Sequence, residues 1–194
     1  FCQDLIKKLG LKDEHELQSY FIRRIDKFVT SKGKKLLGWD EILEGGLSPN
    51  AMVMSWRGTK GGVEAAKQNH DVVMSPNSYF YLDYYQADPK TEPIAIGGNL
   101  PLSKCYSFEP NLPELTAEEA KHVVGIQANV WTEYISNIGY AEYMTYPRAL
   151  ALSEVAWSAK ESKNYADFKK RLTGHLPSMD AMKINYSKAF LTQP

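Results

Sequence analysis

The sequence predicts an α/β fold: about four parallel strands with helices packed outside them, and further helices at the C-terminus. Two observations predict it. Short apolar runs alternate with stretches of helical period in the order α-β-(α)-β-α-β-loop-β-α-α, and alternation of this kind argues for parallel strands joined by crossovers. The runs also end alike. Residues 36–38 lead into Trp39-Asp40-Glu41, residues 52–54 into Ser55-Trp56-Arg57, residues 72–74 into a segment holding Tyr81-Leu82-Asp83, and residues 123–129 into Val130-Trp131-Thr132-Glu133. Side chains gathered just beyond strand C-termini fit either a β/α barrel or an open doubly wound sheet. At 194 residues the chain falls short of the roughly 250 that a whole barrel uses.

Residues 1–10 read as the end of a loop or a short helix. Asp13 is a candidate N-cap, with Glu16 three residues on in capping-box position. Leu17, Phe21, Ile22, Ile25, Phe28 and Val29 follow at helical spacing, and Gly33 suits the position just past the helix end. Strands are expected at residues 35–39 and 51–56, with Gly45-Gly46 and Ser48-Pro49-Asn50 marking the loop between them. Gly61-Gly62 opens a short helix through Gln68, and the third strand begins near Asp71. Residues 81–113 form a long irregular segment with Pro89, Pro93, Gly97-Gly98, Pro101, Pro110 and Pro113; a loop of this length inside a compact domain is usually functional. Thr116 caps a short helix through Ala120, and the fourth strand covers residues 123–129. A longer helix over residues 147–158 tolerates Pro147 in its first turn and takes apolar cover from Leu150, Val155 and Trp157. Residues 165–185 predict one or two last helices, broken at Gly174 and Pro177.

Composition narrows the function classes. Lys plus Arg and Asp plus Glu are both 23, so nothing favours nucleic acid or a membrane surface as partner. No apolar run approaches a transmembrane length. The chain opens on Phe1-Cys2 without a Met or a signal peptide, which reads as an internal start. Cys2 and Cys105 are read as two unrelated free thiols, and no metal-ligand spacing is present.

The strand ends carry the chemistry. A ring offers a stacking face to the C–H side of a sugar, and a carboxylate accepts hydrogen bonds from hydroxyls. On a strand, side chains two apart share a side, so Trp131 and Glu133 stand together, and the same design recurs at Trp39 with Glu41 and Tyr81 with Asp83. The pattern points to a carbohydrate pocket. Each residue also has a plainer reading. Asp40 and Glu41 face opposite ways unless the strand has already turned, and one of them supporting the loop is equally open. Trp56 is pocket wall or core filling, and Arg57 beside it reads as a structural ion-pair partner. Tyr81 and Asp83 sit in an aromatic run that could be a packed edge strand, although a charge there needs a partner. Trp131 and Glu133 could be a core ring and a salt-bridged acid. His15, His70, His122 and His175 have no nucleophile or ligand cluster nearby, and residues 58–62 fail the spacing of a phosphate loop.

Five motifs occur in an order and spacing that resembles the C-terminal half of a glycoside hydrolase family 20 β-N-acetylhexosaminidase barrel: GWDE at 38–41, SWRG at 55–58, YLD at 81–83, VWTE at 130–133 and YPRALALSEVAWS at 146–158. The resemblance covers about residues 1–160, and the loop style is similar to that of enzymes from Bacteroides-like bacteria. It implies a partial TIM barrel over residues 1–160, equivalent to strands five to eight, with residues 161–194 a helical tail packed on it. It implies that the intact protein removes terminal β-linked N-acetylglucosamine or N-acetylgalactosamine by substrate-assisted, retaining catalysis. In that scheme the acetamido oxygen attacks the anomeric carbon, while an Asp-Glu pair after strand four orients the acetamido nitrogen and protonates the leaving oxygen.

By the same resemblance, Tyr81 hydrogen-bonds the acetamido carbonyl oxygen and orients the nucleophile. Trp39, Trp56 and Trp131 wall the acetamide and the sugar ring, and Asp83 and Glu133 hold hydroxyls on the 4 and 6 side. Asp40-Glu41 matches the strand-five motif and not the catalytic pair, which is expected upstream of Phe1; this chain alone is expected to lack hydrolysis. Residues 84–113 hold no Trp to match the one the family carries in that loop. No metal or other cofactor is implied. The expected partners are a glycan ending in N-acetylhexosamine and a second copy paired through exposed half-barrel edges, and the expected location is periplasmic or secreted. Two other readings stay open from the residues themselves: a non-catalytic carbohydrate-binding or interaction module, and a different barrel hydrolase with Asp40 and Glu133 as its acids.

Overall fold

The computed structural model describes residues 1–193. Its contacts divide the chain into two compact units, residues 1–74 with 111–125, and residues 75–110 with 126 onward.

The first unit is built on a sheet of β1 (Leu37–Trp39), β2 (Met52–Ser55), β3 (Val72–Met74) and β4 (Val123–Ile126), in the spatial order β1-β2-β3-β4. β1 pairs β2 and β2 pairs β3 in parallel, with Gly38 opposite Val53 and Met54 opposite Val73. A doubly wound sheet reverses its strand order at a switch point. This sheet runs in sequence order throughout, which is the arrangement of an arc of a β/α barrel. Val53, Met54, Ser55, Val72 and Met74 are its buried side chains.

Helix α3 (Lys60–Lys67) covers β2 and β3 through Ala65 and Ala66, both fully buried. It lies so close that a Cβ added at Gly62 would stand 2.5 Å from the Met74 sulfur. Helix α1 (Cys2–Leu9) ends at Gly10, whose φ of 66° is the left-handed conformation that glycine adopts without strain. Helix α2 (Glu14–Ser31) starts as expected, with the Asp13 side chain accepting from Glu16 N–H at 3.0 Å. The return bond differs from a capping box: Glu16 Oε2 accepts from Lys12 N–H at 2.5 Å, one residue early. Helix α6 (Ala117–Ala120) does carry the full box between Thr116 and Glu119.

The apolar stripe read on α2 is not all core. Ser19 and Asp26 are its buried residues, whereas Phe21 is 59% and Phe28 62% exposed. The inward face is held by polar bonds: Ser48 Oγ donates to Asp26, and Ser19 Oγ donates to the Gly46 carbonyl at 3.1 Å.

The second unit contains α4 (Asn77–Phe80), α5 (Leu102–Tyr106), α7 (Ile138–Thr145), α8 (Arg148–Trp157) and α9 (Tyr165–Ala181). Leu82, Leu100, Met144, Ala151, Val155, Phe168, Leu172 and Met179 are buried in it, and the Tyr106 and Phe168 rings stack at 4.8 Å. Three sequence expectations change here. The segment from 81 to 113 is not wholly irregular, because α5 packs against α8. Helix α9 is continuous through Gly174 and Pro177. Phe168 and Leu172 on one side of those residues and Met179 on the other are all buried, and this shared face holds the helix together across the missing Pro177 N–H. Trp157, expected to cover α8, is instead 91% exposed. No helix among the described residues is long and apolar enough to cross a membrane.

Candidate functional site

In the first unit the candidate side chains stand where the strands give way to tighter turns. After β1 the chain turns at once into a 3-10 segment, Asp40–Leu43. Asp40 and Glu41 therefore do not alternate across a strand. Asp40 turns inward and is buried, with Oδ2 accepting from the N–H groups of Trp56 at 3.0 Å and Arg57 at 3.2 Å, and Oδ1 accepting from Arg57 Nε at 2.6 Å. Both of its oxygens are engaged in holding the turn after β2. Glu41 is half-buried and accepts the indole N–H of Trp56 on both oxygens, at 3.1 and 3.0 Å. This fixes the ring plane of Trp56, which is half-buried, while Trp39 is partly open to solvent.

Arg57 joins Asp40 to Glu44, bonding Glu44 Oε1 at 2.7 Å. That hydrogen bond from Arg57 holds the Glu44 carboxyl below its ordinary range, and the two acids raise the guanidinium. The expected structural role of Arg57 is what the ion pairs describe. Residues 58–62 form a turn into α3, in which Ser55 Oγ donates to the Gly58 carbonyl and accepts from Gly62 N–H, each at 2.8 Å.

In the second unit one parallel bridge, between Tyr81 and Asn129, organises the site. Leu82 N–H donates to the Asn129 carbonyl and Asn129 N–H to the Phe80 carbonyl, both at 2.8 Å. The Asn129 side chain is buried and donates to Ser75 Oγ at 2.6 Å, which fixes the bridge further. Two residues beyond the bridge, the Trp131 ring lies 6.0 Å from the Tyr81 ring at 60°, and Tyr84 meets Tyr81 edge-on at 5.9 Å. Tyr81 is 8% exposed, so its ring position is set by packing.

Asp83 is 5% exposed and accepts from the backbone N–H of Trp131 and from its own. Its Oδ1 is buried without a partner. Burial raises the Asp83 pKa, its backbone bonds oppose that, the nearby charge of Glu133 adds to the rise, and Arg148 lowers it. Glu133 itself is exposed. The bridge thus gathers Tyr81, Asp83, Trp131 and Glu133 into one cluster: two rings, one buried acceptor and one solvated carboxylate.

Sequence reasoning did not single out Arg148 as a site residue. It is fully buried, and its guanidinium donates to four carbonyls, Tyr84 at 3.0 Å, Leu100 at 3.1 Å, and Leu82 and Met144 at 2.5 Å each. The signal was present: Arg148 lies three residues before Ala151 and seven before Val155, both buried, so helical period turns it inward.

The histidines are structural where their contacts are defined. His122 Nδ1 lies 3.2 Å from Asp71 Oδ1, and His70 Nδ1 lies 2.8 Å from the Ala51 carbonyl. Both cysteines are free thiols, and burial pushes Cys105 up to about 12, which keeps it protonated and unreactive.

Comparison with known proteins follows the same outline. Residues 1–160 match the profile described as "Glycosyl hydrolase family 20, catalytic domain". The chain is similar to a β-hexosaminidase of Porphyromonas gingivalis, 50% identical over all of this chain and 25% of that protein, and to a β-N-acetylhexosaminidase of Cellulomonas fimi, 33% identical over 89% of this chain and 35% of that one. Among solved structures it resembles an exo-β-N-acetylglucosaminidase of Vibrio harveyi in complex with N-acetylglucosamine. The TM-score there is 0.85 and the identity 35%, over 97% of this chain and 30% of that one. The chain thus spans about a quarter of the length of the P. gingivalis relative.

Proposed function

This chain belongs to glycosyl hydrolase family 20, as part of its catalytic domain, and on that premise we propose that the intact protein is a retaining β-N-acetylhexosaminidase whose substrate-holding side chains are supplied here. The assigned roles are these. Tyr81 donates its hydroxyl to the acetamido carbonyl oxygen and so orients the internal nucleophile. Trp131 walls the sugar ring, and Asp83 and Glu133 accept from the hydroxyls on the 4 and 6 side; Trp39 and Trp56 keep the acetamide-wall role that the family resemblance gives them.

The observation that carries this reading is the Tyr81–Asn129 bridge, which sets Tyr81 against Trp131 and leaves a buried, unpartnered Asp83 oxygen beside them. An acceptor in that state costs free energy unless a ligand hydroxyl completes it. Asp40, with both oxygens bonded to Trp56 and Arg57, does not support the alternative in which it acts as an acid. Asp13, the other aspartate followed by a glutamate, caps α2. By the family resemblance the leaving-group acid is assigned to the rest of the protein, and this chain alone is expected to be inactive. The test is release of 4-nitrophenol from its N-acetyl-β-glucosaminide, comparing the intact protein with this chain. Activity confined to the intact protein is expected. Activity in both would move the acid into this chain, and activity in neither would overturn the family-level assignment of function.

A second proposal concerns assembly. β1 and β4 are the two edges of the sheet, and Leu37 on the first and Val124 on the second are exposed. Open parallel edges with apolar side chains invite pairing. The 194-residue chain is expected to self-associate, and light scattering at tens of micromolar that gives the monomer mass would refute this.

A further inference from the structure

Arg148 is the largest fully buried side chain among the described residues, and its partners are carbonyls from three separate stretches. Leu82 and Tyr84 flank Asp83; Leu100 lies at the far end of the long segment after it; Met144 is in the last turn of α7. A guanidinium is a planar fork that presents paired N–H groups from two nitrogens, which is what four converging carbonyls require. A lysine has three donors on one centre and cannot reproduce the fork.

We propose that Arg148 is a positioning residue of the substrate site: by binding the carbonyls on either side of Asp83, it sets where Tyr81 and Asp83 meet the sugar. The inference rests on the substrate-binding reading of those two residues. Three features support it. Leu82 and Tyr84 are the immediate neighbours of Asp83, so the Asp83 Cα is pinned from both sides. The Leu82 N–H is bonded to the Asn129 carbonyl, which ties the same residue to the bridge that places Tyr81 beside Trp131. The far end is closed as well: Leu100 N–H donates to the Tyr85 carbonyl at 2.7 Å, while the Leu100 carbonyl accepts from Arg148. Burial lowers Arg148 to about 10, so the group stays cationic at neutral pH and the four bonds remain charge-assisted.

The test uses the intact enzyme. Arg148→Lys keeps the charge and loses the fork. It is expected to raise KM for a 4-nitrophenyl N-acetyl-β-glucosaminide and the inhibition constant of N-acetylglucosamine together, with kcat/KM down about tenfold or more, in protein shown by its melting curve to be folded at the assay temperature. A merely structural role would lower the folded fraction and leave KM and the inhibition constant unchanged, which overturns the proposal. In the double variant with Tyr81→Phe, the loss is expected within about threefold of the worse single, because the hydroxyl is already misplaced; losses that multiply in full overturn it. If Tyr81→Phe and Asp83→Asn each leave kcat/KM untouched, the reading of the site fails and this inference fails with it, a result distinguishable from multiplying losses. Should Arg148→Lys not accumulate, hydrogen exchange of the unaltered enzyme decides. The amides of Leu82, Tyr85 and Leu100 are expected to exchange as slowly as those of β3, and exchange as fast as an open loop overturns the proposal.

Discussion

Tyr81→Phe in the intact enzyme will lower kcat/KM for an N-acetyl-β-glucosaminide by about 10²–10³-fold, with most of the loss in kcat. The change removes one oxygen and keeps the ring. Because the Tyr81 ring is held between Trp131 at 6.0 Å and Tyr84 at 5.9 Å, the phenylalanine ring is expected to stay in place and the fold with it. What goes is the donor proposed to hold the acetamido oxygen in line with the anomeric carbon. When the nucleophile belongs to the substrate, orientation is most of what the protein contributes at that atom, and a misplacement of about 1 Å costs on the order of a hundredfold. Steady-state kinetics on the two purified enzymes, with matched melting curves, check this. A loss below about threefold would remove Tyr81 from the catalytic step.

The strand ends were legible because the fold writes them twice, once as a short apolar run and once as the aromatic and acid that follow it. That is why Trp39, Trp56, Tyr81, Asp83, Trp131 and Glu133 could be singled out. The division of labour within a motif was not legible. Asp40 and Glu41 have similar chemistry, and only the 3-10 turn after β1 shows that one is buried under Arg57 while the other fixes the Trp56 ring. Arg148 was hidden for a related reason. A charged residue in the first turn of a helix is usually solvated, and its burial depends on carbonyls contributed from as far away as Leu82, 66 positions back. Helix ends marked by local chemistry, such as Asp13 for α2 and Thr116 for α6, were found; α5 and α7, short helices without a long apolar period, were not. The exposed rings of Phe21 and Phe28 show the opposite limit, since helical period reports an apolar face and not what covers it.

Asp83→Asn will move function and stability in opposite directions. On the functional side it replaces a carboxylate acceptor by a neutral amide, and the loss of a charge-assisted hydrogen bond to a sugar hydroxyl is expected to lower kcat/KM about 10–100-fold. On the stability side the sign follows from linkage. Burial raises the folded Asp83 pKa above that of the unfolded chain, about 3.9, and the charge of Glu133 adds to the rise. As pH climbs from the unfolded value through the folded one, the folded state holds the proton longer, so stability falls across that window. Above both values the ionised Asp83 is a standing cost of the fold, with one oxygen buried and unpartnered. Asparagine carries no such charge. The variant is therefore expected to melt about 2 °C higher than the parent at pH 7, and the difference should shrink as the pH is lowered from 7 toward 4 and the folded parent carboxyl takes up its proton. Melting curves at the two pH values, alongside kcat/KM, separate the outcomes. A variant that binds sugar poorly and also melts lower at pH 7 would mean that Asp83 supports the fold in its ionised form, and its raised pKa would then have no functional meaning.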